Sequence, residues 1–370
     1  MKICFVSTGI ITSLPNMKRA TGMATPLIKA GHQVSIVAMD CEDNRNRFQF
    51  ECPSAIPLFF TSGSVKNEIR QKKKLIKSWN PDIVYLCAFG RRNWIHKFNV
   101  KTKSIFIVEQ SELRSSIPCG KLKSFYFRLT EYLSILLFNG LICASSYLVN
   151  EFKSMMKGKF YSRSILYLPY AYNHKIMNIE SDLYEVLKSK YKGKTVFLFM
   201  GVHADNYGFL EMIQAAEILK EKCGEFVLLM LGEKRYNISE RYIDEHGLNE
   251  IVQLLGYIPE NELSSYFKLA DAFLSPLHNT KPDKARCPSK LFMYLPFQKP
   301  ILTCKIGESF ELFGEDGFYF EPGNPHSIQL SMKNVIDKKT TAHNVNIEKH
   351  SWDYRVIDFL KWLECDFSMK

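Results

Sequence analysis

The chain has 370 residues, 46% of them apolar and 24% charged, more than a single hydrophobic core usually serves, so two domains of ordinary size are expected and a small module is excluded. Collagen-like, low-complexity and intrinsically disordered classes are excluded by the same composition. The net charge of +11 is uneven: residues 1–180 hold 26 Lys+Arg against 11 Asp+Glu (+15), and residues 181–370 hold 23 against 27 (−4).

From the start, the run Lys2–Val6 leads through a loop with Gly9 and Pro15 into a helical stretch, then Gly31-His32 and a second run at Val34–Val37. A charged helical stretch ends at Trp79 before Asn80-Pro81. The runs Ile83–Cys87, Ser104–Val108 and Leu141–Ala144 follow, with helical periodicity between them. Strands alternating with helices predict a parallel sheet covered on both faces. After Pro169 the pattern loosens through a polar stretch to Lys194. It restarts with strands at Thr195–Met200, Phe226–Leu231, Val252–Leu254, Ala272–Leu274, Pro300–Leu302 and Phe318–Phe320. The expected fold is therefore α/β, two Rossmann-like doubly wound domains, with the ligand cleft at the carboxyl ends of the strands. The expected divisions are residues 1–172, a linker over 173–194, a second domain over 195–350, and a terminal helix over 351–370.

The ten cysteines never approach closer than Cys41 and Cys52, which excludes a zinc ribbon or finger, and no metal site is expected. Cys4, Cys87, Cys143 and Cys304 lie in apolar runs and suit buried free thiols in a reducing compartment, so the protein is read as cytoplasmic. The apolar start stops at Ser7, shorter than a signal-peptide core. The greasy segment Tyr132–Val149 is interrupted by polar residues and reads as a helix followed by a buried strand.

No dinucleotide fingerprint or Walker loop is present. Gly9 and Gly22 are thirteen apart with Lys18 and Arg19 between them, which leaves room for a phosphate-sized or acidic ligand. A richer set follows the strand ending at Leu274: Lys281, Asp283, Lys284, Arg286 and Cys287 in a loop, then Pro288-Ser289-Lys290 at a helix start. The helix start favours a diphosphate, with Lys284, Arg286 and Lys290 adding charge-assisted bonds. The alternative is a solvated basic loop.

These stretches resemble the retaining glycosyltransferases of family 4, which have the two-Rossmann GT-B fold. The resemblance rests on Val196–Gly201, Leu254–Pro259, Tyr266–Pro276, Pro288–Leu295 and Lys299–Leu302, with weaker support from Ala30–Val34, Pro81–Val84 and Leu141–Ser146. It implies transfer of a hexose-type sugar from a nucleotide-sugar donor, without metal or other cofactor, to a glycan or lipid-linked acceptor in cell-envelope polysaccharide synthesis. Donor binding then falls to Gly201, His203 and Gly232 at strand ends, to Gly256, Tyr257 and Ile258 around the base, and to Lys284, Arg286, Pro288 and Ser289 around the diphosphate. Lys290 and Glu109 are the candidate catalytic residues, Glu109 standing roughly where the family carries a histidine. The family's paired glutamates are matched by Ala285 and Met293, and its Arg and Lys clamp by residues near Val202 or His203 and Tyr207. A catalytically weak or silent homologue acting as a binding partner is the alternative. An oxidoreductase is disfavoured by the missing glycine fingerprint.

The basic first half contains Arg70-Gln71-Lys72-Lys73-Lys74 and a helix over 121–138 led by Lys121, Lys123 and Arg128. Both suggest a peripheral contact with the anionic inner face of the membrane. No reading motif for nucleic acid accompanies the charge. At helical spacing, Phe125, Tyr126, Phe127 and Tyr132 read as core.

Overall fold

A computed structural model of the chain describes residues 1–10, 17–158, 162–174, 182–202, 208–223, 225–233 and 238–369. It contains two compact units. The first comprises Met1–Ala171, Ala285–Cys287 and Glu348–Lys370, the second Tyr172–Lys284 and Pro288–Ile347.

In the first unit the chain runs β1 (Lys2–Val6), α1 (Lys18–Lys29), β2 (Gln33–Met39), α2 (Glu42–Glu51), β3 (Leu58–Thr61), α3 (Val65–Trp79), β4 (Ile83–Leu86), α4 (Lys97–Val100), β5 (Ile105–Gln110), α5 (Lys121–Leu137), β6 (Gly140–Cys143), α6 (Ser146–Met156) and β7 (Ser164–Tyr167). Its seven-stranded sheet has the order β3-β2-β1-β4-β5-β6-β7, and every pairing is parallel. Helices cover both faces, so the central strands are buried along their lengths and read as unbroken apolar runs. The outermost strands β3 and β7 are only half-buried, and neither is among the strands expected from the sequence.

The second unit contains α7 (Leu183–Lys190), β8 (Thr195–Met200), α8 (Phe209–Lys220), β9 (Phe226–Leu231), α9 (Ile238–Glu245), β10 (Val252–Gly256), α10 (Glu260–Leu269), β11 (Ala272–Ser275), α11 (Lys281–Ala285, whose last residue groups with the first unit), α12 (Ser289–Tyr294), β12 (Ile301–Thr303), α13 (Glu308–Phe313), β13 (Phe318–Tyr319) and α14 (Pro325–Ile336). The six strands form a parallel sheet in the order β10-β9-β8-β11-β12-β13. Phe197, Phe199, Phe209, Leu228 and Leu274 sit at the centre of its core. The expected two-Rossmann α/β architecture is the one observed.

The last helix, α15 (Trp352–Phe367), is capped by Ser351, whose hydroxyl accepts from Tyr354 N–H at 3.2 Å, and packs within the first unit. Two glycines make room for it. A Cβ at Gly22 in α1 would lie 2.2 Å from the Trp352 indole, and one at Gly140 would lie 2.7 Å from Trp362. Trp362 also donates its indole N–H to Ser164 Oγ at 2.6 Å. Glycine in mid-helix normally costs about 1 kcal/mol, and at position 22 that cost is offset by the buried indole.

Three expectations are corrected here. Phe125 and Tyr126 are exposed rather than core, because α5 turns a polar side inward. Lys72 is fully buried, donating to the carbonyls of Ser7 (3.0 Å) and Arg92 (3.3 Å) and to Asn93 Oδ1 (3.1 Å), so it cannot join a basic surface. Burial also lowers its pKa to about 8. Finally, part of the basic loop after Leu274 is helical, as α11. Cys4, Cys87, Cys143 and Cys304 are buried free thiols, and burial pushes their pKa values up. Among the described residues no helix is long and apolar enough to cross a membrane.

Candidate functional site

In the second unit, three neighbouring parallel strands end in glycines that form a bare rim. Gly201 follows β8, Gly232 follows β9 and Gly256 closes β10. Gly201 N–H donates to the Leu231 carbonyl (2.8 Å), and Gly232 N–H donates to the Gly256 carbonyl (2.7 Å). Gly232 has φ +140°, and a Cβ there would lie 1.8 Å from the Gly201 carbonyl oxygen. Only glycine fits this approach. Gly256 has φ +71° beside a register shift in β10, which turns the chain out into exposed Tyr257 and half-buried Ile258. Backbone without side chains at the carboxyl ends of parallel strands is where an α/β sheet admits a phosphate-bearing ligand.

Lys290 brings positive charge to this rim. Its ammonium lies 3.9 Å from the centroid of the Phe199 ring and would touch a Cβ placed on Gly201, at 3.0 Å. Two further side chains fix α12, which carries Lys290. Tyr294 accepts the Met200 N–H through its hydroxyl (2.8 Å) and stacks on Phe273, ring centroids 4.1 Å apart. Burial raises the Tyr294 pKa, keeping it a neutral phenol. Sequence reasoning missed this tyrosine because its partner is a backbone amide 94 positions away. α12 has only six residues, with Pro288 in the capping position and Ser289 and Lys290 half-buried in its first turn.

Lys284 is placed by its backbone, with its carbonyl oxygen 2.8 Å from where a Gly307 Cβ would stand, and is not among the residues the geometry gathers at the rim. Arg286 groups with the first unit, between Ala285, whose carbonyl accepts from Ser145 Oγ (2.7 Å), and Cys287. His203 lies outside the described residues. A second polar cluster unforeseen in the sequence stands after β11: His278 Nε2 lies 3.2 Å from Glu211 Oε1, and His278 N–H donates to Asp283 Oδ2 (2.9 Å). The signal available was a histidine three residues past a strand end.

In the first unit Glu109 ends up in a buried charge cluster. Its Oε2 lies 2.9 Å from Arg19 Nε and accepts from Tyr85 (3.1 Å), and its Oε1 accepts from Tyr170 (3.3 Å). Both charged side chains are fully buried. Arg19 also donates to the Leu168 carbonyl (2.8 Å) and lies over the rings of Tyr170 and Trp352. Burial, the largest single influence, lowers the Arg19 pKa, but Glu109, Tyr85 and Tyr170 together raise it by more, so the guanidinium stays charged. For Glu109 burial outweighs Arg19 and the carboxyl pKa is raised. The acidic ligand that Arg19 could take is thus internal, and Glu109, the expected catalytic residue, has both carboxylate oxygens engaged by Arg19, Tyr85 and Tyr170. Glu109 also lines, with Gln110, Ser111, Glu112, Thr130 and Glu131, a small polar pocket of about 20 Å³, open to solvent, at the carboxyl end of β5.

Among the described residues no group of three or more His, Cys, Asp or Glu could hold a metal ion.

Residues 185–352 match the family model described as "Glycosyl transferases group 1". A curated relative, the 2-deoxystreptamine N-acetyl-D-glucosaminyltransferase of Niallia circulans, is 23% identical over 51% of the chain and 47% of the relative. The matched stretch thus spans about half the length of that protein. Solved structures agree over the whole chain. A glycosyltransferase from Rickettsia africae ESF-5 superposes with a TM-score of 0.74 at 15% identity, covering 100% of this chain and 99% of that one. Anabaena HepE in complex with UDP and glucose gives 0.75 at 13%, covering 100% of both. By fold the chain is of GT-B type, and its residues 185–352 are similar to the group 1 glycosyl transferases.

Proposed function

We propose that the chain is a glycosyltransferase that moves a hexose-type sugar, with retention, from a nucleotide-sugar donor to a glycan or lipid-linked acceptor in cell-envelope polysaccharide synthesis, at the cytoplasmic face of the membrane. The observation that carries this reading is the rim of Gly201, Gly232 and Gly256 with the Lys290 ammonium against it. The group 1 match over the same residues supports it, as does the likeness to a protein solved with UDP and glucose.

In this reading the donor diphosphate lies over the glycines, where no side chain blocks the backbone. Lys290 faces the bridging oxygen as the anomeric C–O bond breaks and negative charge collects on the diphosphate. Pro288 and Ser289 set the turn that carries Lys290. Gly256, Tyr257 and Ile258 hold the base, the exposed Tyr257 ring offering a stacking face. The first unit receives the acceptor. No cofactor beyond the donor enters the scheme.

The test is calorimetric titration with UDP, GDP and ADP sugars, together with an assay for slow donor hydrolysis. One nucleotide series is expected to bind, and Lys290→Ala is expected to weaken it about tenfold to a hundredfold, as for loss of one charge-assisted contact. If no nucleotide binds, the reading fails. A second reading, a homologue that binds donor without transferring sugar, is favoured by the apolar, buried Ala285 and Met293 where the resembling family carries glutamates. Donor bound with no sugar released, to water or to any acceptor, would favour it.

A further inference from the structure

Helix α5 packs Ile135, Leu133 and Leu137 on the core in its second half, but its first half points its large apolar residues outward. Of its seventeen residues the buried ones are Thr130, Glu131, Ser134 and Ile135, three of them polar, while Leu122 (88% exposed), Phe125 (69%), Tyr126, Leu129 and Leu136 face solvent. At the helical repeat, positions 122, 125, 126 and 129 fall on one stripe and 136 extends it. The inward polar face has its own explanation: Glu131 accepts from Ser115 N–H (2.9 Å) and Ser115 Oγ (2.7 Å), and its wall forms part of the pocket beside β5. The outward face has no such internal account, and single exposed apolar residues are ordinary where a contiguous stripe is not.

The charge around the stripe points to its occupant. Lys121 and Lys123 are exposed in the first turn. Arg128 is already engaged by Glu151 (3.1 Å) and is left out of the reckoning. Residues 1–180 carry +15, which repels a second copy of the same surface and attracts an anionic one. Large apolar side chains bordered by lysines on a helix lying along a surface are the arrangement that settles into the boundary between head groups and acyl chains.

We propose that α5 docks the first unit on an anionic lipid surface through Leu122, Phe125, Tyr126 and Leu129, with Lys121 and Lys123 reaching the head groups. This rests on the transferase reading and deepens it by naming the residues that meet the membrane.

The experiment is co-sedimentation of the full chain with vesicles of phosphatidylglycerol and phosphatidylcholine, and with phosphatidylcholine alone. Binding to the anionic vesicles alone, weakened by salt, is expected. Leu122→Gln/Phe125→Gln is expected to weaken it at least about tenfold, and Lys121→Gln/Lys123→Gln about fivefold per lysine at low salt. Circular dichroism on each variant shows whether it is folded. The proposal is overturned if the wild-type chain stays in the supernatant, or if the folded Leu122→Gln/Phe125→Gln variant binds as the wild type does. It is overturned equally if sedimentation velocity finds a dimer that this variant converts to monomer, since the stripe is then a self-association face. Calorimetry with UDP in the absence of lipid is run on the same wild-type sample. A failure there sinks the transferase reading and leaves the vesicle result standing.

Discussion

Arg19 Nε and Glu109 Oε2 lie 2.9 Å apart with neither side chain exposed to solvent, joining the first turn of α1 to the end of β5. Ninety residues of chain separate them. An ion pair this deep is costly to desolvate, and it is held by the two tyrosine hydroxyls and the Leu168 carbonyl that share its charges. Removing one partner therefore does more harm than removing both.

Glu109→Ala is expected to destabilise the protein by about 3–5 kcal/mol, because it strands a buried guanidinium. Arg19→Met/Glu109→Leu is expected to cost markedly less. Urea unfolding of the two variants checks this; equal losses would show that packing, not uncompensated charge, dominates the site.

Gly22→Ala forces a methyl into the Trp352 indole and is expected to cost about 1–3 kcal/mol. In a Trp352→Leu background the same change should cost less than half as much. A double-mutant cycle by thermal unfolding measures the coupling, and strict additivity would mean the contact is relieved some other way.

Gly232→Ala combines a left-handed backbone angle with a collision against a carbonyl oxygen, neither of which a side-chain rotation relieves. A loss of about 2 kcal/mol or more is expected, with UDP affinity falling in the folded fraction as the rim is displaced. Calorimetry beside a denaturation curve separates the two effects.

His343 sits between Phe313 and Phe318 and accepts the Ile301 N–H at Nε2 (3.0 Å). Burial holds its pKa down to about 4, against 6.5 in the unfolded chain. The unfolded state then binds the proton more readily, so stability is full above pH 6.5 and falls as pH drops from there toward 4, by up to about 3 kcal/mol. His343→Leu should flatten that slope in unfolding curves measured across the window. The slope that remains belongs in part to His350, also held near 4 by burial and by Arg355 and Lys349.

The central strands were legible because residues such as Phe5, Val84 and Leu228, buried between two layers of helices, leave apolar runs that nothing else explains. The half-buried outermost strands Leu58–Thr61 and Ser164–Tyr167 carry apolar runs as well, Leu58-Phe59-Phe60 and Ile165-Leu166-Tyr167, yet stand outside the strands expected from the sequence. At the candidate site, Gly201, Gly232, Gly256 and Lys290 were readable from strand ends and from resemblance. The anchor Tyr294 and the pairing of Glu109 with Arg19 were not, since both depend on partners brought close only by folding. The direction in which α5 faces was misread for a related reason: its spacing is that of any amphipathic helix, and periodicity does not say which side meets water.

The return of residues 348–370 to the first unit constrains how the molecule is made. With Trp352 seated on Gly22 and Trp362 on Gly140, the seven-stranded sheet lacks part of its cover until the ribosome has translated α15. The second unit, an uninterrupted stretch but for three residues, is free to mature first, so the order of completion runs opposite to the order of synthesis.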